Sequence, residues 1–512
     1  MAAPPAVLMQ GIEKRFGAVH ANRAVQLRVD SGTVHGIVGE NGAGKSTLMS
    51  ILYGFYEADA GEISIEGRPV QIKGSGEAIG LGIGMVHQHF MLVDTLSALD
   101  NVMLGAEPSW RLNVARAEVR AKLAVLMRDT GLQVRLDALV SELPVGERQR
   151  LEILKALFRG ARILILDEPT AVLTPQETDA LFVTLRGLRE RGTTILLITH
   201  KLREIMALCD AVTVMRAGQV VLDAKISDTS IDGLAEAMVG RRVNLGRSGV
   251  ASKPGAVLLA ALGLSLTDAL GVARLSEVSL QLRAGEIVGI AGVSGNGQTE
   301  LLDVLSGLAT PSAGAMHIAG QHFTPAHWLS TRQARALRLA HVPEDRHRRG
   351  MVLPFAAWES AVLGYQRKRR YNGLFGWMRQ RAMRDDTAAM MERYDVRPRN
   401  TGLRSANFSG GNQQKLVLAR EAQFFDREPQ VLLVGQPTRG VDIGAIEFIH
   451  GRLRAMRDAG GAVLVVSSEL DEILALSDRV IVMNAGRVSG ELPIEQCTEA
   501  ALGRLMGGAG NH

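Results

Sequence analysis

The feature that most constrains this chain is an internal repeat with a period of about 250 residues. Three segments of the first half are TVHGIVGENGAGKSTLM at 33–49, ILILDEPTAVLTP at 163–175 and ILLITHKLREIMALCD at 195–210. They recur in the same order as EIVGIAGVSGNGQTELL at 286–302, VLLVGQPTRGVDI at 431–443 and VLVVSSELDEILALSD at 463–478. The 512 residues therefore predict two homologous domains rather than one large core.

The boundary between the two domains is predicted at 247–255, where RSGVASKPG is polar and contains glycine, serine and proline. The first domain then covers 1–246 and the second covers 256–512. Within each domain, aliphatic and β-branched runs alternate with amphipathic helical stretches such as 113–129 and 376–393. This alternation predicts an α/β fold with a mostly parallel sheet and helices on its faces.

Cysteine content and hydropathy exclude several classes of protein. The two cysteines, Cys209 and Cys497, lie far apart in no metal-ligand spacing, which argues against a disulfide framework or a zinc cluster. The start, MAAPPAVLMQ, lacks the features of a signal peptide. No apolar run reaches the roughly 18 residues that span a bilayer, and we expect the longest, at 256–267, to be a buried strand.

The net charge of +5 is small for this length and is not gathered in one tail. The densest basic run is Arg367-Lys368-Arg369-Arg370. We interpret this run as a solvated helix face, with an acidic membrane surface or a docking partner as the second interpretation. The least favoured interpretation is a nucleic-acid patch, and we therefore expect no nucleic-acid partner.

The pattern Gly39-x-x-x-x-Gly44-Lys45-Ser46 predicts a phosphate-binding loop between a buried strand and an apolar helix. Glycines let backbone N–H groups converge on phosphate oxygens, and the helix N-terminus adds a favourable dipole. Lys45 is expected to reach the β- and γ-phosphates, and the Ser46 hydroxyl to bind Mg²⁺. A chance glycine turn would not combine a strand, a loop, a lysine and a hydroxyl.

Three further residues follow the ends of predicted strands. Asp167 and Glu168 end the strand at 163–166, where an aspartate suits Mg²⁺ and the next glutamate suits activation of water. Alone, such a pair is more often a charge pair at a helix N-terminus. His200 follows the strand at 194–199, and alone it would more often be structural. The phosphate-binding loop upstream favours a catalytic site, with His200 as a sensor of the γ-phosphate.

Together with Gln88 and the segment SELPVGERQRLEI at 141–153, these residues resemble an ABC-type ATPase over nearly the whole chain. The resemblance implies that each half has a RecA-like P-loop core, a helical subdomain and an antiparallel β subdomain. The family's aromatic residue that stacks on adenine falls at Phe16. Its signature, usually LSGGQ, falls at 143–147 as LPVGE and at 408–412 as FSGGN.

The resemblance also implies that the halves pair head to tail, so each ATP lies between one phosphate-binding loop and the other half's signature. The first site then keeps every chemical group. Its implied catalytic residues are Lys45, Gln88, Glu168 and His200, and its implied Mg²⁺ ligands are Ser46, Gln88 and Asp167. The residues implied to bind ATP are Phe16, Gly39, Glu40, Asn41, Gly42, Ala43, Gly44, Lys45, Ser46, Thr47, Ser409, Gly410, Gly411, Asn412 and Asp442. Asn412 is a mild departure, because glutamine usually ends the signature.

The family's catalytic residues that this chain lacks belong to the second site, which lies between the second half's loop and the first half's signature. In the second half the lysine, the metal-binding aspartate, the catalytic glutamate, the histidine and the glutamine are replaced by Gln298, Gly435, Gln436, Ser468 and Glu344. The signature that faces this site carries Pro144 in place of its serine. Thr299 keeps a hydroxyl, and the glycine-rich loop keeps its backbone donors. We therefore predict one hydrolysing site per chain.

A tandem pair of such domains without membrane segments resembles the ATPase subunit of sugar and nucleoside importers. This implies two permease subunits and an external solute-binding protein as partners, and a peripheral location at the cytoplasmic face of the inner membrane. His89-Phe90 stand where sugar importers usually carry an acidic and an aliphatic residue, which favours nucleosides or related purines over monosaccharides. A tandem ATPase acting on ribosomes or nucleic acid is the remote alternative, since such proteins usually keep two intact sites.

Overall fold

The computed structural model describes residues 4–17, 19–87, 90–106, 112–170, 173, 175–242, 254–293, 295–373, 377–423 and 430–506. The chain divides into two compact units, Met1–Val243 and Asn244–His512. Most of the predicted linker at 247–255 lies outside the described residues, so those bounds stay a prediction.

The first unit contains ten strands and eight helices among its described residues. Its strands are β1 Val7–Phe16, β2 Val19–Val29, β3 Val34–Gly39, β4 Ala60–Ile65, β5 Arg68–Val70, β6 Ile83–Val86, β7 Ile163–Asp167, β8 Thr194–Ile198, β9 Ala211–Arg216 and β10 Gln219–Lys225. Its helices are α1 Lys45–Leu52, α2 Ser75–Gly80, α3 Ala98–Met103, α4 Leu112–Thr130, α5 Val145–Phe158, α6 Pro175–Glu190, α7 Leu202–Leu208 and α8 Ile231–Val239.

The second unit repeats these elements in the same order. Its strands are β11 Val257–Thr267, β12 Ala273–Arg283, β13 Glu286–Ala291, β14 Ala313–Ile318, β15 Gln321–Phe323, β16 Leu339–Val342, β17 Val431–Gly435, β18 Ala462–Val466, β19 Arg479–Asn484 and β20 Arg487–Pro493. Its helices are α9 Gln298–Leu305, α10 Thr331–Ala336, α11 Ala357–Val362, α12 Gln380–Arg393, α13 Gly410–Gln423, α14 Ile443–Asp458, α15 Leu470–Leu476 and α16 Glu499–Met506.

Each unit has two sheets, and the strand order is the same in both units. A six-stranded sheet has the order β10-β9-β3-β8-β7-β6 in the first unit and β20-β19-β13-β18-β17-β16 in the second. Five of its strands are parallel, and β10 or β20 is antiparallel at one edge. A four-stranded antiparallel sheet has the order β2-β1-β4-β5 or β12-β11-β14-β15. The predicted α/β fold with two homologous domains is confirmed.

The sequence pattern explains which strands lie at the centre of each unit. Every residue of β3 and of β13 is buried, because helices cover both faces of a parallel sheet. Helices α3, α4 and α5 pack against one another in the first unit, as α11, α12 and α13 do in the second. These helix groups correspond to the helical subdomain that the family resemblance implies.

Three expectations from the sequence need correction. The stretch at 376–393 forms a helix only from Gln380 to Arg393, after an isolated bridge between Asn372 and Met378. The strand at 256–267 is present as β11, but it is only half-buried because an antiparallel sheet buries one of its faces. The basic run Arg367–Arg370 lies in turns rather than on a helix face.

The basic run is anchored at its end to the helical subdomain of the second unit. Arg370 Nε and Nη2 donate to the two carboxylate oxygens of Asp386 at 2.7 and 2.6 Å. Asp386 also accepts a hydrogen bond from the hydroxyl of Tyr371 at 2.9 Å. Part of the positive charge of this run is therefore neutralised within the unit.

None of the helices in the described part of the chain has both the length and the apolar character that a membrane span requires.

Candidate nucleotide-binding site

The register of the parallel sheet brings the candidate residues of the first unit together. Ile198 of β8 pairs with Ile37 of β3 on one side and with Asp167 of β7 on the other. The carboxyl ends of the three strands therefore lie level at one edge of the sheet. In an open α/β sheet, ligands bind at this edge. The phosphate-binding loop, the acidic pair and His200 all lie at these three strand ends.

The loop after β3 folds back on itself around Lys45. Its Nζ donates to the backbone oxygens of Gly39 at 2.7 Å and Glu40 at 3.0 Å, and the side chain is only 6% exposed. Gly44 has φ +98°, and a Cβ there would lie 2.3 Å from the backbone oxygen of Ala21, so only glycine fits. Burial lowers the pKa of Lys45, although the carboxylates of Glu168 and Asp167 oppose the shift.

The remaining loop residues differ in exposure. Asn41 and Gly42 at the tip, and Ser46 at the start of α1, are exposed, whereas Ala43 is buried. The Ala43 N–H donates to the Glu40 oxygen at 3.0 Å and closes the turn. Thr47 is half-buried on the first turn of α1. The tip of the loop and Ser46 are thus exposed to solvent, while Lys45 is buried.

Ser46 and Asp167 form the pair that fits a magnesium ion. The two side chains are close enough for Ser46 to affect the pKa of Asp167. Burial raises the pKa of Asp167 and the neighbouring Glu168 adds to the rise, while Lys45 and Ser46 oppose it. A hydroxyl and a carboxylate are hard oxygen ligands of the kind Mg²⁺ takes together with phosphates and water. The donor set therefore fits the metal that the family resemblance implies.

Glu168 and His200 are in direct contact. His200 Nδ1 lies 2.8 Å from Glu168 Oε1. Glu168 has φ +47°, and its N–H donates to the backbone oxygen of Ile198 at 2.8 Å, which holds this unusual backbone in place. Burial alone would raise the pKa of Glu168, but the hydrogen bond from His200 and the charges of His200, Lys45 and Lys201 lower it below its ordinary value.

This contact predicts a pH effect. Because the folded pKa of Glu168 is depressed, its stabilising contribution is present above the ordinary value of 4.5 and is lost as pH falls through the folded pKa. His200→Ala should raise that pKa toward its ordinary value, since a lowering partner is removed. We expect the acid limb of the pH profile of ATP turnover to move to higher pH. His327→Ala, outside the site, is the control. An unmoved acid limb in His200→Ala would show that His200 does not lower the pKa of Glu168.

The second unit keeps the backbone of this site and lacks its lysine, its acidic pair and its histidine. Gln298 is also 6% exposed, and its Nε2 donates to the Val293 oxygen at 3.0 Å, as Lys45 does to Glu40. Gln436 has φ +46°, and its N–H donates to the Val466 oxygen at 2.7 Å. Its Oε1 accepts from the hydroxyl of Ser468 at 3.1 Å. A neutral amide and a hydroxyl replace the glutamate–histidine pair, and neither can act as a general base at neutral pH.

The two signature segments differ at the residue before the helix. Pro144 precedes α5 and makes no side-chain cap. In the second unit, Ser409 Oγ accepts a hydrogen bond from Asn412 Nδ2 at 2.8 Å, and Asn412 Oδ1 accepts from the backbone N–H of Arg397 at 2.7 Å. Asn412 therefore has a local structural role in addition to the predicted role in binding. Ser409 remains exposed at the start of the segment.

The other candidate residues lie in different surroundings. Asp442 is the N-cap of α14, where its Oδ1 accepts from the Ala445 N–H at 2.9 Å. A Cβ on Gly411 would lie 2.7 Å from Asp442 Oδ2, so glycine allows the signature helix to approach. Phe16 ends β1, is 42% exposed and packs edge-on against Tyr56 at 5.1 Å. Gly410 is the first residue of α13. Gln88, together with His89, lies outside the described residues.

Sequence analysis missed one supporting residue, Glu204 on α7. It is 8% exposed, its Oε1 accepts from the Thr170 hydroxyl at 2.5 Å, and it lies 3.4 Å from Lys201 Nζ. It therefore links the segment after Glu168 to the segment after His200. The signal was available in the repeat, because the counterpart Glu472 is also an acid and is also buried.

The fold and the candidate site together define a pair of phosphate-loop nucleotide-binding domains. The family model described as ABC transporter matches residues 23–171 and 275–439. The chain belongs to the ABC transporter family. The two matched segments fall in the two units, which agrees with the internal repeat.

Proteins of known role resemble this chain over its whole length. The nucleoside import ATP-binding protein NupA of Lactococcus lactis subsp. cremoris is 43% identical over 99% of both chains. The guanosine import ATP-binding protein NupO of Bacillus subtilis is also 43% identical, over 98% of this chain and 97% of its own. The ribose import ATP-binding protein RbsA of Yersinia pestis is 37% identical, again over 98% and 97%.

A solved structure of lower identity has the same fold. The archaeal ribosome recycling factor aABCE1, in complex with the ribosomal stalk protein aP1, has a TM-score of 0.63 and 19% identity. The match covers 97% of this chain and 92% of that chain. Identity at this level shows the shared fold alone.

Proposed function

We propose that this chain is the ATP-hydrolysing subunit of an importer, with one hydrolysing site per chain. The observation that carries the proposal is the contrast between equivalent positions of the two units. The first unit joins Glu168 to His200 at 2.8 Å beside the buried Lys45. The second unit joins Gln436 to Ser468 at a similar distance of 3.1 Å, without an ionisable group.

The proposed ATP site uses the chain's own groups in distinct roles. The loop from Gly39 to Gly44 and the N-terminus of α1 bind the phosphates through backbone N–H groups. Phe16 provides an exposed aromatic face for the adenine. Ser46 and Asp167, with Gln88, would hold Mg²⁺, which when bound neutralises phosphate charge and polarises the γ-phosphate. Lys45 must exchange its contacts with the loop carbonyls for phosphate oxygens when ATP binds.

Glu168 performs the proton step of the proposed reaction. Its carboxylate, kept ionised by its depressed pKa, orients a water molecule and accepts its proton during attack on the γ-phosphate. His200 holds the carboxylate through Nδ1 and directs the rest of its ring toward the developing negative charge. Lys45 stabilises the same charge. Removing any of these groups is expected to slow hydrolysis more than it weakens binding of ATP, except for Lys45, which also contributes to binding.

The proposal includes head-to-tail pairing of the two halves within the chain. Ser409, Gly410, Gly411, Asn412 and Asp442 would then complete the ATP site of the first unit. Exposure of Ser409 supports this role, because its hydroxyl, which accepts from Asn412, can still donate its proton to a phosphate. Pro144 would face the second unit's loop, where it supplies no hydroxyl.

This pairing predicts opposite sensitivities at the two signatures. Ser409→Ala should lower ATP turnover by roughly 10–150-fold, since a hydrogen bond to a charged group contributes about 1.5–3 kcal/mol. Pro144→Ser should leave turnover within about twofold, because Gln436 and Ser468 still provide no base. Steady-state phosphate release from purified chain measures both. Equal losses in the two variants would contradict the pairing.

Nucleosides or related purines are the proposed cargo. The 43% identity to importers named for nucleosides and guanosine supports this choice, while a relative named for glucose import is 42% identical and supports monosaccharides as the second candidate. The residues Phe90 and His89 in the segment after Gln88 favour the same branch. Monosaccharides are the second candidate, supported by the full-length match to the ribose importer.

The proposed assembly places the chain against the cytoplasmic face of the inner membrane as a peripheral subunit. Its partners would be two permease subunits and, indirectly, an external solute-binding protein. ATP binding closes the halves, and closure moves permease segments seated near Gln88 and Glu344. A ribosome-associated ATPase is the rival function, and sedimentation with ribosomes rather than with membranes would favour it.

The test of the proposed function is uptake by cells that lack the gene. Labelled adenosine, uridine, ribose and galactose would be supplied to the deletion strain carrying wild type or Glu168→Gln. We expect nucleoside uptake to be lost on deletion and restored by wild type alone. Loss of sugar uptake alone would overturn the cargo, and unchanged uptake of all four solutes would overturn import of these classes.

A further inference from the structure

The second unit has lost an aspartate at the end of β17, and another carboxylate occupies its place. Gly435 stands where the first unit has Asp167. A Cβ built on Gly435 would lie 2.4 Å from Cγ of Glu344 and 3.0 Å from its backbone nitrogen. The side chain of Glu344 therefore fills the volume into which an aspartate at position 435 would project.

Glu344 also makes the contact that the lost aspartate would make. The hydroxyl of Thr299 donates to Glu344 Oε2 at 2.7 Å. Thr299 stands where the first unit has Ser46, whose side chain is close enough to Asp167 to lower the pKa of that carboxyl. The pairing of a hydroxyl with a carboxylate is thus present in both units, although different strands supply the carboxylate.

The sheet explains how the carboxylate can change strands without leaving the site. β16 and β17 are parallel neighbours, with Val342 paired to Val434. Glu344 follows β16 by two residues and Gly435 ends β17, so both stand at the same edge of the sheet. A glutamate is one methylene longer than an aspartate, which lets it reach across from the adjacent strand once position 435 has no side chain.

We propose that Thr299 and Glu344 hold a divalent cation, Mg²⁺, together with the phosphates of a nucleotide on the loop that ends at Gly297. The second unit would then bind a metal–nucleotide complex that it does not hydrolyse. The inference rests on the proposed ATP-binding function and deepens it for the second unit. Mg²⁺ characteristically takes one or two carboxylates plus phosphate oxygens and water, which this pair can supply.

The neighbouring acid Asp303 is paired elsewhere, so Glu344 is the carboxylate that contacts Thr299. Asp303 on α9 is paired with Arg349, whose Nη1 lies 2.7 and 2.8 Å from its two oxygens. Glu300 on the same helix adds negative charge near Glu344, and Arg439 adds positive charge. The negative charges of the Glu344 carboxylate and of the nucleotide phosphates would together neutralise a cation bound beside the Thr299 hydroxyl.

The experiment measures metal–nucleotide binding by the full chain, with Mn²⁺ as a spectroscopic probe and a non-hydrolysable ATP analogue. Wild type should bind two equivalents of Mn²⁺–nucleotide by electron paramagnetic resonance. A chain carrying Lys45→Gln and Asp167→Asn, which disable the first site, should bind one. Adding Glu344→Gln should weaken Mn²⁺-dependent binding at least tenfold, since losing even an outer-shell metal contact costs roughly 10–100-fold in metal affinity.

Matched variants separate metal binding from loop folding. Thr299→Ser keeps the hydroxyl and should keep Mn²⁺ affinity, whereas Thr299→Val should lose it. Nucleotide affinity in EDTA should be the same with Glu344 and with Glu344→Gln. Equal losses with and without metal would mean that Glu344 only shapes the loop, and would overturn the inference.

The remaining outcomes distinguish this inference from the proposed function. The inference would be overturned if the disabled chain bound no nucleotide at its second site, or if Glu344→Gln left the Mn²⁺ affinity unchanged. If wild type still bound one equivalent, the proposed function would stand. Wild type that binds no nucleotide at all would overturn both.

Discussion

Glu168→Gln is expected to abolish steady-state ATP hydrolysis by the whole chain, with a loss of about 10²–10⁴-fold. The amide keeps the size of the side chain and can still accept a hydrogen bond from His200. It cannot accept a proton from water, so the loss falls on the chemical step rather than on binding. The second unit cannot compensate, because Gln436 already stands at the equivalent position.

The measurement is phosphate release, paired with equilibrium binding of ATP to the same preparation. Binding should stay within about threefold of wild type while turnover collapses, as expected when only transition-state stabilisation is removed. Glu190→Gln, an exposed residue at the end of α6, is the control for loss of one negative charge. Turnover that survives Glu168→Gln would refute the single-site assignment.

The reverse substitution follows from the same argument. Gln436→Glu restores the acid in the second unit but leaves Gln298 and Ser468 in place. In the Glu168→Gln background it should therefore not restore hydrolysis. Recovery of turnover in that background would show that the second unit lacks only a base, and that Gln298 and Ser468 do not prevent hydrolysis.

The second large effect is expected at Lys45. Lys45→Gln should weaken ATP binding by roughly 10–150-fold, because a charge-assisted bond to phosphate contributes about 1.5–3 kcal/mol. The substitution copies the residue that the second unit carries. Since Gln298 donates to its own loop at 3.0 Å, as Lys45 does, the loop of the variant is expected to stay folded.

Isothermal titration with Mg²⁺–ATP measures this loss at the first site, in a chain whose second site is weakened by Glu344→Gln. Lys73→Gln, at an exposed lysine, has the same change in net charge and should bind as the parent does. Thermal unfolding in the absence of nucleotide checks that both variants are folded. If Lys45→Gln bound ATP as tightly as Lys73→Gln, the lysine would have no contact with phosphate.

Much of the fold could be predicted from residues alone. The repeat gave two units, and the alternation of buried runs with amphipathic stretches gave parallel sheets covered by helices. The second pattern is local, because burial on both faces of a strand requires a continuous apolar run such as that of β3. Helix starts were less predictable, as the late start of α12 at Gln380 illustrates, since caps and turns depend on contacts with distant residues.

The sequence by itself determined the inventory of the chemistry. The spacing of Gly39, Gly44 and Lys45 fixed a phosphate-binding loop, because a strand–loop–helix segment of this kind folds from neighbouring residues. The comparison of the two copies fixed which positions differ, including Gln436 and Gly435. None of this required knowledge of which side chains touch.

Only the tertiary structure decided how those groups combine. Strand register brings Asp167 level with Ile198 and so sets Glu168 beside His200, which is distant in sequence. Parallel packing of β16 on β17 lets Glu344 fill the space that Gly435 leaves. From the sequence, Glu344 counts as one more loss. In the fold it is a carboxylate beside a hydroxyl, because side chains from adjacent strand ends share one volume.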